Sequence, residues 1–469
     1  MRASLLLGLV GVTIGCGGFH QVASDDLAIP PADAGTDGPT TNGLTDAGVL
    51  LDGSHGDLAS RIAQAPPDSP CAQRDYWTTV GRQTCQDRRV FAVESAILDP
   101  ATVSLAISQS GHVGIVYRSM EDPDETDLHV AHFDRSQVVS NMPLQPTIST
   151  HPSSTIGERV GVASAIAGGQ NDQLHVAYLI DAEWAKGLYY QTLATGGFDS
   201  ATGELVEDNL SASGEVSIGV APSGNVFVTN FNPVVGEIHS HERMGGTWAP
   251  QQIVASSLDA TYGTGKMAMT MDPNLPRVAY YEHTTLPLSK PVFDEFDGTN
   301  WSMPQTVDNF SLGGTTQCGM SPGLAIFGTW KYVSYLVSVS DSAAQIEVGS
   351  WQDDLDVPSH SIVVDSIAYN KAQPLTRTSL AVDSFGLLHL MAFVQNDLGG
   401  GTVEYHRQTV IQGTTAWIAD IVDDLTDTND PSDPNYALVS IAVDENDRPH
   451  LAYYNSGTGT INYATRFDR

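Results

Sequence analysis

Short apolar runs alternate with polar turns along most of the chain, and the arrangement recurs. Near the C-terminal end, Ser440-Ile441-Ala442-Val443-Asp444 leads through a turn to His450-Leu451-Ala452-Tyr453-Tyr454 and then to Thr460-Ile461-Asn462-Tyr463-Ala464. One unit earlier stand Ser379-Leu380-Ala381-Val382-Asp383, a turn through Gly386, His389-Leu390-Met391-Ala392-Phe393 and Thr402-Val403-Glu404-Tyr405. Runs of this length, bounded by Gly, Asn and Asp, predict strands. Fainter copies lie upstream. Aligned on the second strand, they place Tyr117, Tyr178, Asn230, Tyr280, Ser334, Ala392 and Tyr453 in one position, at steps of 61, 52, 50, 54, 58 and 61 residues.

Units of that length suit four-stranded blades with variable loops. Where a fourth strand is visible it follows a Gly-Thr-Trp or Gly-x-x-Trp turn, at Gly246 to Trp248 and Gly298 to Trp301, with Trp351 and Trp417 expected in the same place later on. The last unit has no room for a fourth strand before Arg469, while Arg88-Arg89-Val90-Phe91-Ala92-Val93-Glu94 is a strand without a unit. Pairing the two removes both open sheet edges. The fold expected is therefore all-β: a seven-bladed β-propeller of four-stranded blades over residues 71–469, its ring closed by an N-terminal strand. Ser, Ala and Gly in the first strands fit the crowding around an axis.

These units resemble the degenerate repeats of sialidase-like propellers, the BNR or Asp-box repeats. Only the Gly298 to Trp301 end of the box Ser-x-Asp-x-Gly-x-x-Trp is kept. The arginine triad and the Phe-Arg-Ile-Pro-like motif of a sialidase are missing, so the resemblance carries the fold and not the activity.

The N-terminus reads as an address. Met1-Arg2 followed by the apolar run Leu5 to Ile14 is a signal peptide, too short to span a bilayer. Thr13-Ile14-Gly15-Cys16 resembles a bacterial lipobox, which implies acylation of Cys16 and an outer-membrane lipoprotein of the bacterial envelope, facing the outside or the periplasm. Thr13 departs from the Leu or Val of that motif, so secretion with cleavage nearby is the alternative. Residues 17–70 are rich in Asp, Gly, Pro, Thr and Ala and form an acidic linker unable to build a core. Cys71 and Cys85 are the natural disulfide pair in an oxidising compartment, leaving Cys318 as a single thiol.

Charge narrows the partners. Lys and Arg total 21 against 55 Asp and Glu, a formal net charge of −34, which excludes a nucleic-acid groove. Membrane contact is expected only through the N-terminal lipid. No Gly-x-Ser-x-Gly, His-Glu-x-x-His or phosphate loop is present.

Two acidic stretches are candidate Ca²⁺ loops: Asp122, Asp124 and Asp127 in the first unit, and Asp424, Asp427 and Asp430 entering the last. His175, His389 and His450 share one repeat position, which marks them as structural. Loops entering the blades carry His151, Arg159, Tyr262, Lys266, Tyr369, Arg377 and Tyr436, aromatic platforms and cations able to contact a ligand. The function expected is binding of a glycan or protein through the loop face. The alternative is a carbohydrate-active enzyme, a glycoside hydrolase with two carboxylates on the axis or a polysaccharide lyase with a His or Tyr base beside an Arg.

Overall fold

The computed structural model describes residues 88–95 and, with interruptions at connecting segments, 102–466. The signal peptide, the linker, Cys71 and Cys85 lie outside the described residues. Among the described residues no helix is long and apolar enough to cross a membrane.

The chain is an all-β propeller. Among the described residues, five discrete sheets hold four or five strands each, and a sixth holds nine. The expectation of seven separate four-stranded blades is corrected accordingly. In the nine-stranded sheet the first two sequence repeats are joined where Thr126, in the strand Glu125–Asp134, forms a parallel bridge with Arg159, in the strand Arg159–Gly168.

The closing strand lies where the pattern put it. Arg88–Glu94 runs antiparallel to Thr460–Arg466, with Val90 opposite Ala464 and Phe91 opposite Tyr463, and completes the four-stranded sheet of the last repeat. The innermost strands pack side by side around the axis, and the last of them, Val439–Val443, packs on the first, Val103–Ile107.

The serine that opens each Ser-x-Ala run has a job at this hub. An inner strand is an edge, with backbone N–H groups facing its neighbour and no ladder to receive them. The Leu105 N–H donates to Ser440 Oγ at 3.0 Å, the Ile166 N–H to Ser104 Oγ at 3.3 Å, and the Ile441 N–H to Ser379 Oγ at 3.2 Å. The donors occupy one repeat position and the acceptors another, always in the preceding repeat. Where the serine is replaced by Gly323, a Cβ would come 2.8 Å from the Leu380 nitrogen, so the neighbouring strand has moved into the vacated space. Ser440→Ala should leave the Leu105 N–H without its acceptor and cost about 1 kcal/mol, read as a lower urea midpoint at unchanged slope.

The register of the fifth repeat differs from the sequence alignment by one residue. Phe327 pairs with Trp330 across a two-residue turn, as Asp272 does with Leu275 in the fourth repeat, while the third uses a longer one between Val220 and Val226. Gly323 pairs with Ser334 as Ala268 does with Ala279 and Ser440 with Ala452, which puts Tyr335, not Ser334, in register with Tyr117, Tyr178, Tyr280 and Tyr453, and all five tyrosines are fully buried. Trp248 and Trp301 follow their turns, but Trp351 ends the third strand Ala343–Gln352 and packs edge-on against Phe293 of the preceding repeat at 5.2 Å. Trp417 lies within the fourth strand Thr414–Asp424.

Candidate functional site

The buried tyrosines mark a polar layer in the seams between repeats. Tyr117 donates its hydroxyl to Glu94, which also meets His129 Nδ1 at 3.1 Å. Tyr453 donates to Asp423 at 2.8 Å, and Tyr280 to Asp294 at 2.8 Å. Tyr335 lies 3.0 Å from Asp308, 3.3 Å from Glu347 and 2.7 Å from His360. Glu94, Asp308 and Asp423 all come from the outer part of the preceding repeat, so each acid staples one repeat to the next.

The seam between the second and third repeats is built differently. Its tyrosine is replaced by the fully buried Asn230, and the facing strand Glu237–Met244 carries His239, His241 and Arg243 at every second position. Alternation along a strand sends those three side chains to one face. Opposite them runs Glu204–Asp208, the outer strand of the second repeat, whose ladder with Gly187–Ala194 breaks register between Leu205 and Glu207. In a regular strand Glu204 and Glu207, three residues apart, would face opposite sides; the bulge turns both toward the seam.

A row of cation–carboxylate contacts results. Arg243 Nε donates to Glu204 at 3.0 Å, His241 Nε2 lies 2.9 Å from one Glu207 oxygen, and His239 Nδ1 lies 2.8 Å from the other. Burial alone would raise the Glu207 carboxyl, but its contacts with the two imidazoles outweigh that and hold it at about 2. Burial would likewise lower His239, yet Glu207 and Glu237 together raise it above the ordinary histidine value.

Beside this row opens a cavity of about 420 Å³ lined by Gln173, His175, Tyr190, Gln191, Thr192, Glu204 and Arg243. The Arg243 guanidinium sits 5.2 Å from the centre of the Tyr190 ring, and Trp248 meets the same ring edge-on at 5.4 Å. His175 Nδ1, 2.6 Å from the Tyr190 hydroxyl, fixes that ring. An aromatic ring, a guanidinium, a carboxylate and two primary amides thus converge on one opening.

The structure places the residues singled out in the sequence elsewhere. His151 lies in the strand Thr147–His151, packed edge-on against Tyr178 at 5.5 Å, and burial lowers its pKa. Arg159 is engaged by Asp181, which also meets Lys186 at 3.3 Å. Tyr262, Lys266, Tyr369, Arg377 and Tyr436 lie outside the described residues, as do Asp124, Asp427 and Asp430. The first acidic stretch, expected as a loop, is mostly hairpin: Asp122 pairs with Glu125, and Asp127 stands opposite Ser119. Asp424 ends its strand opposite Thr402, in a different sheet.

The repeated histidines are braces. His389 Nδ1 is 2.6 Å from the Tyr405 hydroxyl with Nε2 3.3 Å from Asp383, and His450 Nδ1 is 2.5 Å from Tyr463 with Nε2 3.4 Å from Asp444. Each acid also accepts backbone N–H groups of its own hairpin turn. An Asp–His–Tyr line that recurs in two units, buried in both, ties a turn to a third strand. Cys318 opens the strand Cys318–Phe327.

No protein-family model and no curated protein matches the sequence. Among solved structures the chain is similar to the GH93 α-L-arabinofuranosidase of Fusarium graminearum in complex with arabinobiose, at 10% identity and a TM-score of 0.46, over 81% of this chain and 96% of that one. It is also similar to AofleA from Arthrobotrys oligospora, at 11% identity and 0.41, over 72% and 93%. A third is the fucose-specific lectin from Aleuria aurantia, at 12% identity and 0.38, over 70% and 97%.

Proposed function

We propose that this chain is a glycan-binding propeller and that its sugar site is the opening between the second and third repeats. The observation that carries this is the convergence of Tyr190, Arg243 and Glu204, with Gln173 and Gln191 alongside, on one cavity. A sugar ring offers C–H groups to the face of an aromatic ring and adjacent hydroxyls to groups with two donors or two acceptors in a plane. Guanidinium, carboxylate and primary amide are those groups. A net charge of −34 favours neutral over polyanionic glycans.

We further count the nine-stranded sheet as two blades joined by the bridge at Thr126 and Arg159, which makes the ring seven-membered. From the lipobox-like residues 13–16 we propose display at a bacterial envelope. The carboxylates Asp308 and Glu347 are buried and share the Tyr335 hydroxyl, an arrangement that does not favour a hydrolase pair.

A glycan array probed with the full chain, followed by titration of the best ligand, tests this reading. Arg243→Ala should weaken that ligand by about 10- to 100-fold, the worth of a charge-assisted hydrogen bond. Absence of any glycan signal, or equal affinity of the variant, contradicts it.

A further inference from the structure

We infer that Glu207, His239 and His241 form a binding site for a transition-metal ion of the zinc class, separate from the sugar opening and independent of the glycan reading. Two imidazoles and a carboxylate suit zinc, nickel or copper rather than calcium, which takes six to eight oxygens. The three donor atoms lie within 4.8 Å of one another. An ion at about 2.0–2.2 Å from each ligand holds tetrahedral neighbours a little over 3 Å apart, so a small rotation of the Glu207 carboxylate admits it.

The surroundings of the ligands strengthen the inference. His239 presents Nδ1 to Glu207, while its other nitrogen, Nε2, lies 3.0 Å from Glu237. A carboxylate behind a liganding imidazole fixes the tautomer and raises ligand basicity, and it is the usual companion of a metal-bound histidine. Glu207 is itself oriented by the Asn230 side-chain amide at 3.1 Å. Asn230 is fully buried, and its oxygen has no hydrogen-bond partner. A buried amide oxygen without a donor is costly, and an ion carrying a water would supply one.

The other such cluster among the described residues, Asp308, Glu347 and His360, is built differently. There the Tyr335 hydroxyl occupies the centre, within 3.3 Å of all three side chains. That site is filled by a hydroxyl, and the His–His–Glu site is not.

The test is titration of the chelator-treated full chain with Zn²⁺ by calorimetry, and with Co²⁺ by its visible absorption. Wild type should take up one ion in this site, with Co²⁺ showing the strong absorption of a low-symmetry, four- or five-coordinate centre. His241→Gln should abolish that site, and Glu237→Gln, which leaves all three ligands in place, should weaken it by about 10- to 100-fold. Glu237 is partly exposed, so its variant carries the comparison if His241→Gln does not fold. No saturable uptake by wild type, or uptake unchanged in both variants, overturns the inference and assigns the cluster to a buried ion-pair network. No sugar is present in the titration, so its failure leaves the glycan reading untouched.

Discussion

Deleting Arg88–Glu94 should cost the protein most of its stability and make it aggregate. This strand is the fourth of the last sheet, and its loss bares the whole edge of Thr460–Arg466. Val93 is buried among Leu105, Tyr117, Leu438 and Tyr463, and Phe91 packs against the same cluster. Two such side chains contribute about 1.5–3 kcal/mol each, and the lost ladder adds about 1 kcal/mol per hydrogen bond. Glu94 leaves as well, stranding the Tyr117 hydroxyl and His129 in the seam. The sum, on the order of 5–10 kcal/mol, matches the entire stability of an ordinary domain. Size-exclusion chromatography and urea denaturation read the effect. A deletion variant that keeps the wild-type elution volume and midpoint means that the ring closes by other contacts.

Asp294→Asn should stabilise the protein at pH 8 and leave it unchanged near pH 4. Asp294 is fully buried, and burial pushes its carboxyl up to about 7 against the pull of the hydroxyls of Tyr280 and Ser302. Below about pH 4 the folded and unfolded chains both hold the proton and the group contributes nothing. Between about 4 and 7 only the folded chain keeps it, so stability falls as pH rises. Above 7 the folded state carries a buried charge, a penalty on the order of 4 kcal/mol. Asparagine keeps an acceptor for Tyr280 without that charge. Asp444 works in the opposite direction. Burial would raise it, but His450 and the N–H groups of Arg448 and Asn446 hold it well below the usual carboxylate range. Its contribution is present at neutral pH and is lost as pH falls below the ordinary carboxylate value. Subtracting the two Asp294 stability–pH curves isolates the first effect; parallel curves would mean that Asp294 is ionised when folded, as in water.

Much of the architecture was legible because the hub imposes a local rule. The Ser-x-Ala runs and the strand at 88–94 stand in the sequence as alternation and as a missing piece at the far end. What escaped depends on ladder register and strand length. In the fifth repeat the pairing of Gly323 with Ser334, and not the strand pattern alone, fixes Tyr335 as the seam tyrosine. Continuation of Arg159–Gly168 up to a bridge with Thr126 merged two repeats into one sheet, and Asp122 and Asp127, expected in a loop, prolong the strands of a hairpin.

The candidate sites were less legible. His239-x-His241-x-Arg243 is visible as an alternation, and three cationic-capable side chains on one strand face were a signal available to a reader. Their partners were not, because Glu204 and Glu207 share a face only through a bulge, and Glu207 lies 32 residues from His239. Attention to loops also pointed away from the seams, where long-range packing brings polar groups together.

The most direct measurement is a crystal structure of the chain with the best oligosaccharide from the array. A sugar ring seated beside Tyr190 and Trp248, with hydroxyls on Arg243, Glu204 or Gln191, is the expected result. A sugar bound at residues 259–266 or 426–437, or along the axis, with the seam between the second and third repeats empty, contradicts it.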